Sequence, residues 1–173
     1  MIRPATAVDL DAVAAIYDEL LDHEAATVSY TNWKKGSYPT RATAQRALEA
    51  GTLFVGEGRD GSLYGCVNLN HIQPVEYADL NWTIPAKGNE VLVIHTLCVP
   101  PSRAGHGHGK EFVAFAEQHG RSLGCKVTRL DTYEGNLPAR AMYPKLGYSY
   151  VGETEFFFEG FIREILICFE KAL

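Results

Sequence analysis

The segment Pro100–Lys110, PPSRAGHGHGK, places glycines at 105, 107 and 109 between an apolar run and a helical pattern. Glycines at alternate positions let a backbone turn sharply and approach a ligand closely. A strand before and a helix after make this loop a helix N-terminus. There, unpaired N–H groups and the helix dipole favour an anion such as phosphate. The pattern points to a phosphorylated cofactor, with a plain strand-to-helix turn as the alternative. Two familiar phosphate loops do not fit. The P-loop pattern G-x-x-x-x-G-K-[ST] matches Gly109-Lys110, but Ala104 stands at the first glycine and Glu111 follows the lysine. The dinucleotide pattern G-x-G-x-x-G matches Gly105 and Gly107, then meets Lys110.

Other side chains near this loop could carry protons. His95 lies two residues before Leu97 in the apolar run, on the same face if the run is a strand. Its ordinary pKa suits proton transfer near neutral pH, while a hydrogen-bonded core histidine is the bland alternative. Glu90, Asp131 and Glu134 are rival bases. His106 and His108 have no third partner in the pattern, so no metal site is expected.

The run Val91–Val99, the glycine loop, the following helix and the segment Asn136–Tyr148, NLPARAMYPKLGY, together resemble the GNAT (Gcn5-related) N-acetyltransferase superfamily. That family carries L-x-V, then [QR]-x-x-G-x-G, then N-x-x-A-x-x-x-Y-x-x-x-G-[FY]. One departure is plain: the family's Gln/Arg falls on Ala104, and Arg103 stands one position early. The resemblance implies an acetyl-CoA-dependent transfer of an acetyl group to an amine by direct attack. It implies that the Ala104–Lys110 backbone (Ala104, Gly105, His106, Gly107, His108, Gly109, Lys110) cradles the pyrophosphate. It implies that the Leu97, Cys98 and Val99 strand edge pairs with pantetheine, a backbone N–H there polarising the thioester. Asn136 and Ala139 would contact the cofactor, Asn136 also capping a helix. Tyr143 would protonate the departing thiolate, with His95 or a water relay as base. Cys98 as a nucleophile is not expected, since direct transfer needs none.

Acceptor recognition falls, by the same resemblance, to segments flanking the sheet. Trp33, Tyr77, Asp79 and Trp82 offer an aromatic wall with one carboxylate, suited to a small cationic or amphipathic amine. Simple loop packing is the alternative. Acylation of a protein or peptide N-terminus, use of a longer acyl chain, and a non-catalytic CoA-binding sensor remain open readings.

The elements that position these residues follow from periodicity. Ile2–Ala5 reads as a short strand. Thr6 and Asp9 open a helix with Leu10, Val13, Ile16, Tyr17, Leu20 and Leu21 at helical spacing. Residues 24 to 39 read as a loop or broken helix, and Arg41–Ala50 as a short helix stopped by Gly51. Leu53–Glu57 and Leu63–Leu69 form a hairpin about Arg59-Asp60-Gly61. Residues 71 to 89 form a long polar loop, Val91–Val99 a strand, and a helix runs from the glycine loop to Leu123. Val127–Thr132 is a strand, a short helix near Pro138 ends at Gly147, and Tyr148–Phe158 with Phe161–Phe169 closes the chain as a hairpin about Glu159-Gly160. The order β-α-α-β-β-β-α-β-α-β-β is mixed α/β, a mostly antiparallel sheet flanked by helices, in one domain over residues 1–173.

Composition sets the outer bounds. The 173 residues are 46% hydrophobic and 21% charged, with net charge −5. That balance argues against nucleic acid as a partner. Apolar stretches of about nine residues do not span a bilayer, and no leader pattern opens the chain, so a cytoplasmic protein is expected. Cys66, Cys98, Cys125 and Cys168 sit in apolar runs without a CxxC and read as reduced core residues. Phe156-Phe157-Phe158 with Phe161 suits either a homodimer face or a buried core.

Overall fold

The computed structural model describes residues 1–158, 160 and 162–173. Phe161 and Glu159, part of the aromatic hairpin, lie outside the described residues. The elements are β1 (Ile2–Pro4), α1 (Leu10–Ala26), α2 (Arg41–Glu49), β2 (Leu53–Glu57), β3 (Leu63–Asn70) and β4 (Val91–Cys98). They continue with α3 (His108–Ser122), β5 (Val127–Tyr133), α4 (Leu137–Lys145), β6 (Ser149–Phe158) and β7 (Ile162–Ala172). This is the order read from the sequence. One sheet of seven strands runs β1-β2-β3-β4-β5-β7-β6. β1–β2, β2–β3, β5–β7 and β6–β7 are antiparallel, and β4–β5 is parallel. A parallel neighbour needs a crossover, and α3 supplies it.

The chain forms two compact units. The first holds residues 1–28, 33–69 and 95–115. Its core gathers Leu10, Val13, Ile16 and Tyr17 of α1 with Ala44 and Ala47 of α2 and Leu53, Val55, Cys66 and Cys98 of the strands. The small alanines let α2 come close. A Cβ on Gly65 would stand 2.6 Å from the Phe112 ring and 2.8 Å from the Cys98 carbonyl, so only glycine lets α3 seat on β3. Thr6 and Asp9 cap a short 3-10 turn that leads into α1. The Asp9 carboxylate accepts from the two terminal Arg3 guanidinium nitrogens at 2.8 and 3.0 Å, and from Thr6 N–H and hydroxyl at 2.7 and 2.9 Å. The guanidinium hydrogen bonds hold this carboxyl at about 2, below its ordinary value.

The second unit holds residues 29–32, 70–94 and 116–173. Val91, Val93 and Val127 alternate with polar or opposite-facing residues and meet Tyr77, Phe156, Leu166 and Cys168 in one core. The loop of residues 71 to 89 is strapped down. Arg129 and Glu170 are both buried, with Arg129 Nε 3.6 Å from Glu170 Oε2. Arg129 donates to Gln73 Oε1 at 2.6 Å and to the Ile84 carbonyl at 3.1 Å. Glu170 Oε1 accepts from Thr83 N–H, Thr83 hydroxyl and Ile84 N–H at 2.6, 2.7 and 3.2 Å. The facing atoms of the pair, Arg129 Nε and Glu170 Oε2, make no hydrogen bond among the described residues; the donors on Glu170 Oε1 and the two bonds from Arg129 tie down the loop that a polar sequence alone leaves free.

All four cysteines are reduced and buried. Phe156 is buried and Phe157 exposed on β6. Among the described residues, no helix is long and apolar enough to cross a membrane.

Candidate active site

β4 and β5 pair in register from Val91↔Val127 to Ile94↔Leu130, and the ladder ends there although both strands continue. Two residues on, Thr96 takes φ +49, a left-handed conformation rare for a β-branched residue. The pleat is interrupted between His95 and Leu97, so the simple alternation that would place both on one face does not carry through. His95, Thr96 and Leu97 are half-buried, and Cys98 is buried. The Cys66 contact and burial hold the Cys98 thiol well above its ordinary value, so it stays a thiol. The strand ends at Cys98; Val99, read as its last residue, lies just beyond it.

In the same unit, the Thr96 hydroxyl hydrogen bonds with the Tyr38 hydroxyl. The Trp33 ring sits edge-on to Tyr38, centroids 5.6 Å apart. Trp33 is thus tied to β4 through one intermediate ring. Sequence reasoning missed Tyr38 and Thr96 as a pair, because nothing in a 58-residue separation signals a contact.

The glycine loop begins with a tight turn. Arg103 N–H donates to the Pro100 carbonyl at 2.8 Å and Ala104 N–H to the Pro101 carbonyl at 3.0 Å. Ala104 was expected among the main-chain anion donors; its N–H is committed to this turn instead. Gly105 and Gly107 take φ +79 and +82, with no atom within 4 Å of where a Cβ would stand. They are glycines for conformation and for open approach. Gly109, expected in the loop, is a residue of the first turn of α3. Glu111 N–H donates to the Gly107 carbonyl at 3.1 Å, closing that turn. The N–H groups of His108, Gly109 and Lys110 precede it and are oriented as at any helix start.

Side chains around the loop turn elsewhere. Arg103 donates to Ser62 Oγ at 2.8 Å. The His108 ring stacks on Tyr64, centroids 4.1 Å apart, with Nδ1 3.2 Å from Glu111 Oε2. Lys110 and His106 are exposed. Among the described residues, no group of three or more His, Cys, Asp or Glu side chains could hold a metal ion.

The second unit carries a different kind of chemistry. Asp131 follows Leu130, the last β5 residue paired with β4. Its Oδ2 accepts from the Tyr77 hydroxyl at 2.7 Å. Burial pushes the carboxyl up to about 6, the Tyr77 hydrogen bond opposing and the nearby Glu76 charge assisting. Tyr143 of α4 is buried against Tyr148 and Phe169, with centroids at 5.6 and 5.7 Å. Its hydroxyl has no hydrogen-bond partner among the described residues. Burial, with the Asp131 charge behind it, raises the phenol further above its ordinary value, so it holds its proton at neutral pH. Asn136 caps α4, its side chain accepting from Ala139 N–H at 3.2 Å. Both residues expected at the cofactor are therefore joined in the cap, with the Ala139 N–H committed there.

The aromatic wall needs correction on two of its members. Tyr77 is 2% exposed, with its hydroxyl on Asp131. Trp82 donates its indole N–H to the Tyr77 carbonyl at 2.8 Å, and the Arg129 guanidinium lies 4.2 Å from its ring centroid. The Arg129–Glu170 strap has drawn both rings inward, so they pack beneath the loop rather than lining it. Asp79 is exposed at the end of the 3-10 turn Val75–Asp79.

Comparison with known proteins supplies the context. A family model described as Acetyltransferase (GNAT) family matches residues 15–148. An aminoalkylphosphonate N-acetyltransferase from Salmonella typhimurium is 27% identical over 147 residues, covering 85% of this chain and 83% of that protein. A GNAT-family acetyltransferase structure from Streptococcus agalactiae aligns with TM-score 0.82 at 22% identity, covering 100% of this chain and 95% of that one. A Salmonella typhimurium structure solved with its cofactor acetyl-CoA aligns with TM-score 0.69 at 17% identity, covering 100% and 93%. At these identities the structural likenesses speak for the fold.

Proposed function

The chain belongs to the GNAT acetyltransferase family, acyltransferases that use acetyl-CoA, and from that premise we propose that it acetylates the primary amine of a small molecule by direct attack. The observation that carries the substrate class is the 27% identity, over most of both chains, to an enzyme named for a small aminoalkylphosphonate. We take residues 1–173 as one catalytic domain.

The residues present suit an anionic thioester cofactor. Gly105 and Gly107 leave open space at positive φ, the start of α3 offers unpaired N–H groups, and the Tyr143 hydroxyl has no partner among the described residues. Acetyl-CoA supplies an activated acyl group and a sulfur leaving group. The main chain from Gly105 to Lys110 holds phosphate by N–H donation. A Leu97 or Cys98 N–H on the strand edge polarises a carbonyl oxygen. Tyr143 gives its hydroxyl proton to the departing sulfur. On this reading the acceptor is met by Trp33 of the first unit or by Asp79 of the second, and His95, a carboxylate or a water relay takes its proton.

The test is an acceptor panel of aminoalkylphosphonates, polyamines, amino acids and peptides, with release of CoA thiol as the readout. Saturable release with a small amine is expected. Turnover of peptides alone moves the acceptor to a protein N-terminus. Acetyl-CoA binding without turnover of any amine makes the protein a sensor.

A further inference from the structure

We propose that Asp131 takes the acceptor's proton, held for that task by the Tyr77 hydroxyl. This inference rests on the N-acetyltransferase reading above and names the base that reading leaves open. Asp131 stands one residue past the end of the β4–β5 ladder, where both strands continue without pairing to each other. One carboxylate oxygen is fixed by Tyr77 at 2.7 Å, and the residue is only partly covered. A fixed carboxylate with one oxygen left over is what a proton acceptor requires.

Its surroundings are otherwise short of cations. Tyr77 and Glu76 face it from the 3-10 turn, Cys168 from β7 as its register partner, and the neutral phenol of Tyr143 in α4 feels the Asp131 charge. Arg129, two residues away, is turned to Glu170, Gln73 and the Ile84 carbonyl. A carboxylate without a guanidinium partner keeps its basicity, and burial carries it toward neutral pH. The other carboxylates are less suited. Glu90 is an ion-pair partner of Lys126, and Glu134 is exposed. Within one unit, then, stand a group that accepts a proton near neutral pH and a phenol, Tyr143, that keeps one.

The step balances. The proton on the acceptor's ammonium nitrogen passes to the Asp131 carboxylate, and the freed lone pair forms the C–N bond. The C–S electron pair leaves with sulfur, which takes the Tyr143 proton. The new amide nitrogen sheds its second proton to water, Asp131 likewise gives its proton to water, and Tyr143 regains one from water, so that one proton is released overall.

The experiment follows kcat/KM for the best acceptor against pH, in wild type, Asp131→Asn, Tyr77→Phe and His95→Ala. Each variant is first checked by circular dichroism and for acetyl-CoA binding by calorimetry. Wild type should rise through an apparent pKa near 6 and then level off. Asp131→Asn should lose that limb, fall by about 10²-fold at pH 7, and recover about tenfold per pH unit as solvent supplies the free amine. Tyr77→Phe removes a donor to the ionised carboxylate and should move the limb upward. His95→Ala should keep the limb. A limb retained in Asp131→Asn, or unmoved in Tyr77→Phe, overturns the inference alone. Wild type that turns over no amine while still binding acetyl-CoA overturns the functional reading and this inference with it.

Discussion

Two aspartates, one in each unit, show how the same side chain is put to opposite uses. Asp9 receives four hydrogen-bond donations, two of them from the Arg3 guanidinium, and its carboxyl is held at about 2. Asp131 receives one, from a neutral phenol, and its carboxyl is pushed up to about 6. Burial acts on both in the same direction, so burial does not distinguish them. The guanidinium does. A carboxylate matched to a cation is a structural clamp, fully charged and chemically quiet. A carboxylate desolvated without one is costly to ionise and can move a proton.

The strongest way to sharpen this contrast is Tyr143→Phe, beside Asp131. Loss of the general acid should lower kcat by about 10²-fold with KM for acetyl-CoA near wild type. Stability should barely move, because the hydroxyl has no partner among the described residues to lose. A Phe variant with full kcat would break the claim that this region carries the chemistry.

Arg3→Ala tests the other aspartate. Asp9 is a depressed group, so it stabilises the fold above about pH 4, and that contribution is lost as pH falls toward 2. Removing the guanidinium should cost about 2 kcal/mol at pH 7, or roughly 4–8 °C in Tm, and the cost should shrink in acid. Thermal melts at pH 7 and pH 3 read it directly. Catalysis should be untouched.

Asp131→Asn should move stability the opposite way. A raised group favours the fold fully below about pH 4, and that advantage is lost as pH climbs through about 6. The amide oxygen can still accept from Tyr77, and the charge is gone. At pH 7 the variant should therefore be more stable than wild type by about 1–2 kcal/mol, with the gain vanishing below about pH 4. A destabilised variant at pH 7 would mean that the ionised carboxylate is as well satisfied as Asp9.

The smallest effect is expected at Gly107→Val. Nothing crowds the new side chain, so the cost is the left-handed backbone at φ +82, about 1–2 kcal/mol. It should appear as roughly a tenfold rise in KM for acetyl-CoA with kcat little changed. Where Tyr143→Phe moves kcat alone, this variant should move KM alone.

The sequence made the fold legible because each element carries its own local signal. Leu10, Val13 and Tyr17 announce a helix face, Asp60-Gly61 a turn, and Asn136 a cap. The positive-φ glycines at 105 and 107 were legible for the same reason. What stayed hidden depends on residues far apart in the chain. Trp82 and Tyr77 read as loop aromatics because nothing local reveals that Arg129 and Glu170 draw the loop inward. Asp131 ranked behind His95 because a histidine's ordinary pKa is visible in its identity, whereas desolvation of a carboxylate is not. Thr96 gives no sign of its left-handed conformation, since threonine is a common strand residue.

The Glu170 carboxylate that gathers three donors from Thr83 and Ile84 has a consequence in time. Amides in a surface loop ordinarily trade their protons for deuterium as fast as the loop fluctuates. The Thr83 and Ile84 amides are bound to a fully buried side chain of β7, within its pairing with β5 and at the end of its pairing with β6. They can exchange only when that strand lets go of its carboxylate. In the kinetics of exchange, these two positions of an apparently irregular segment belong to the sheet.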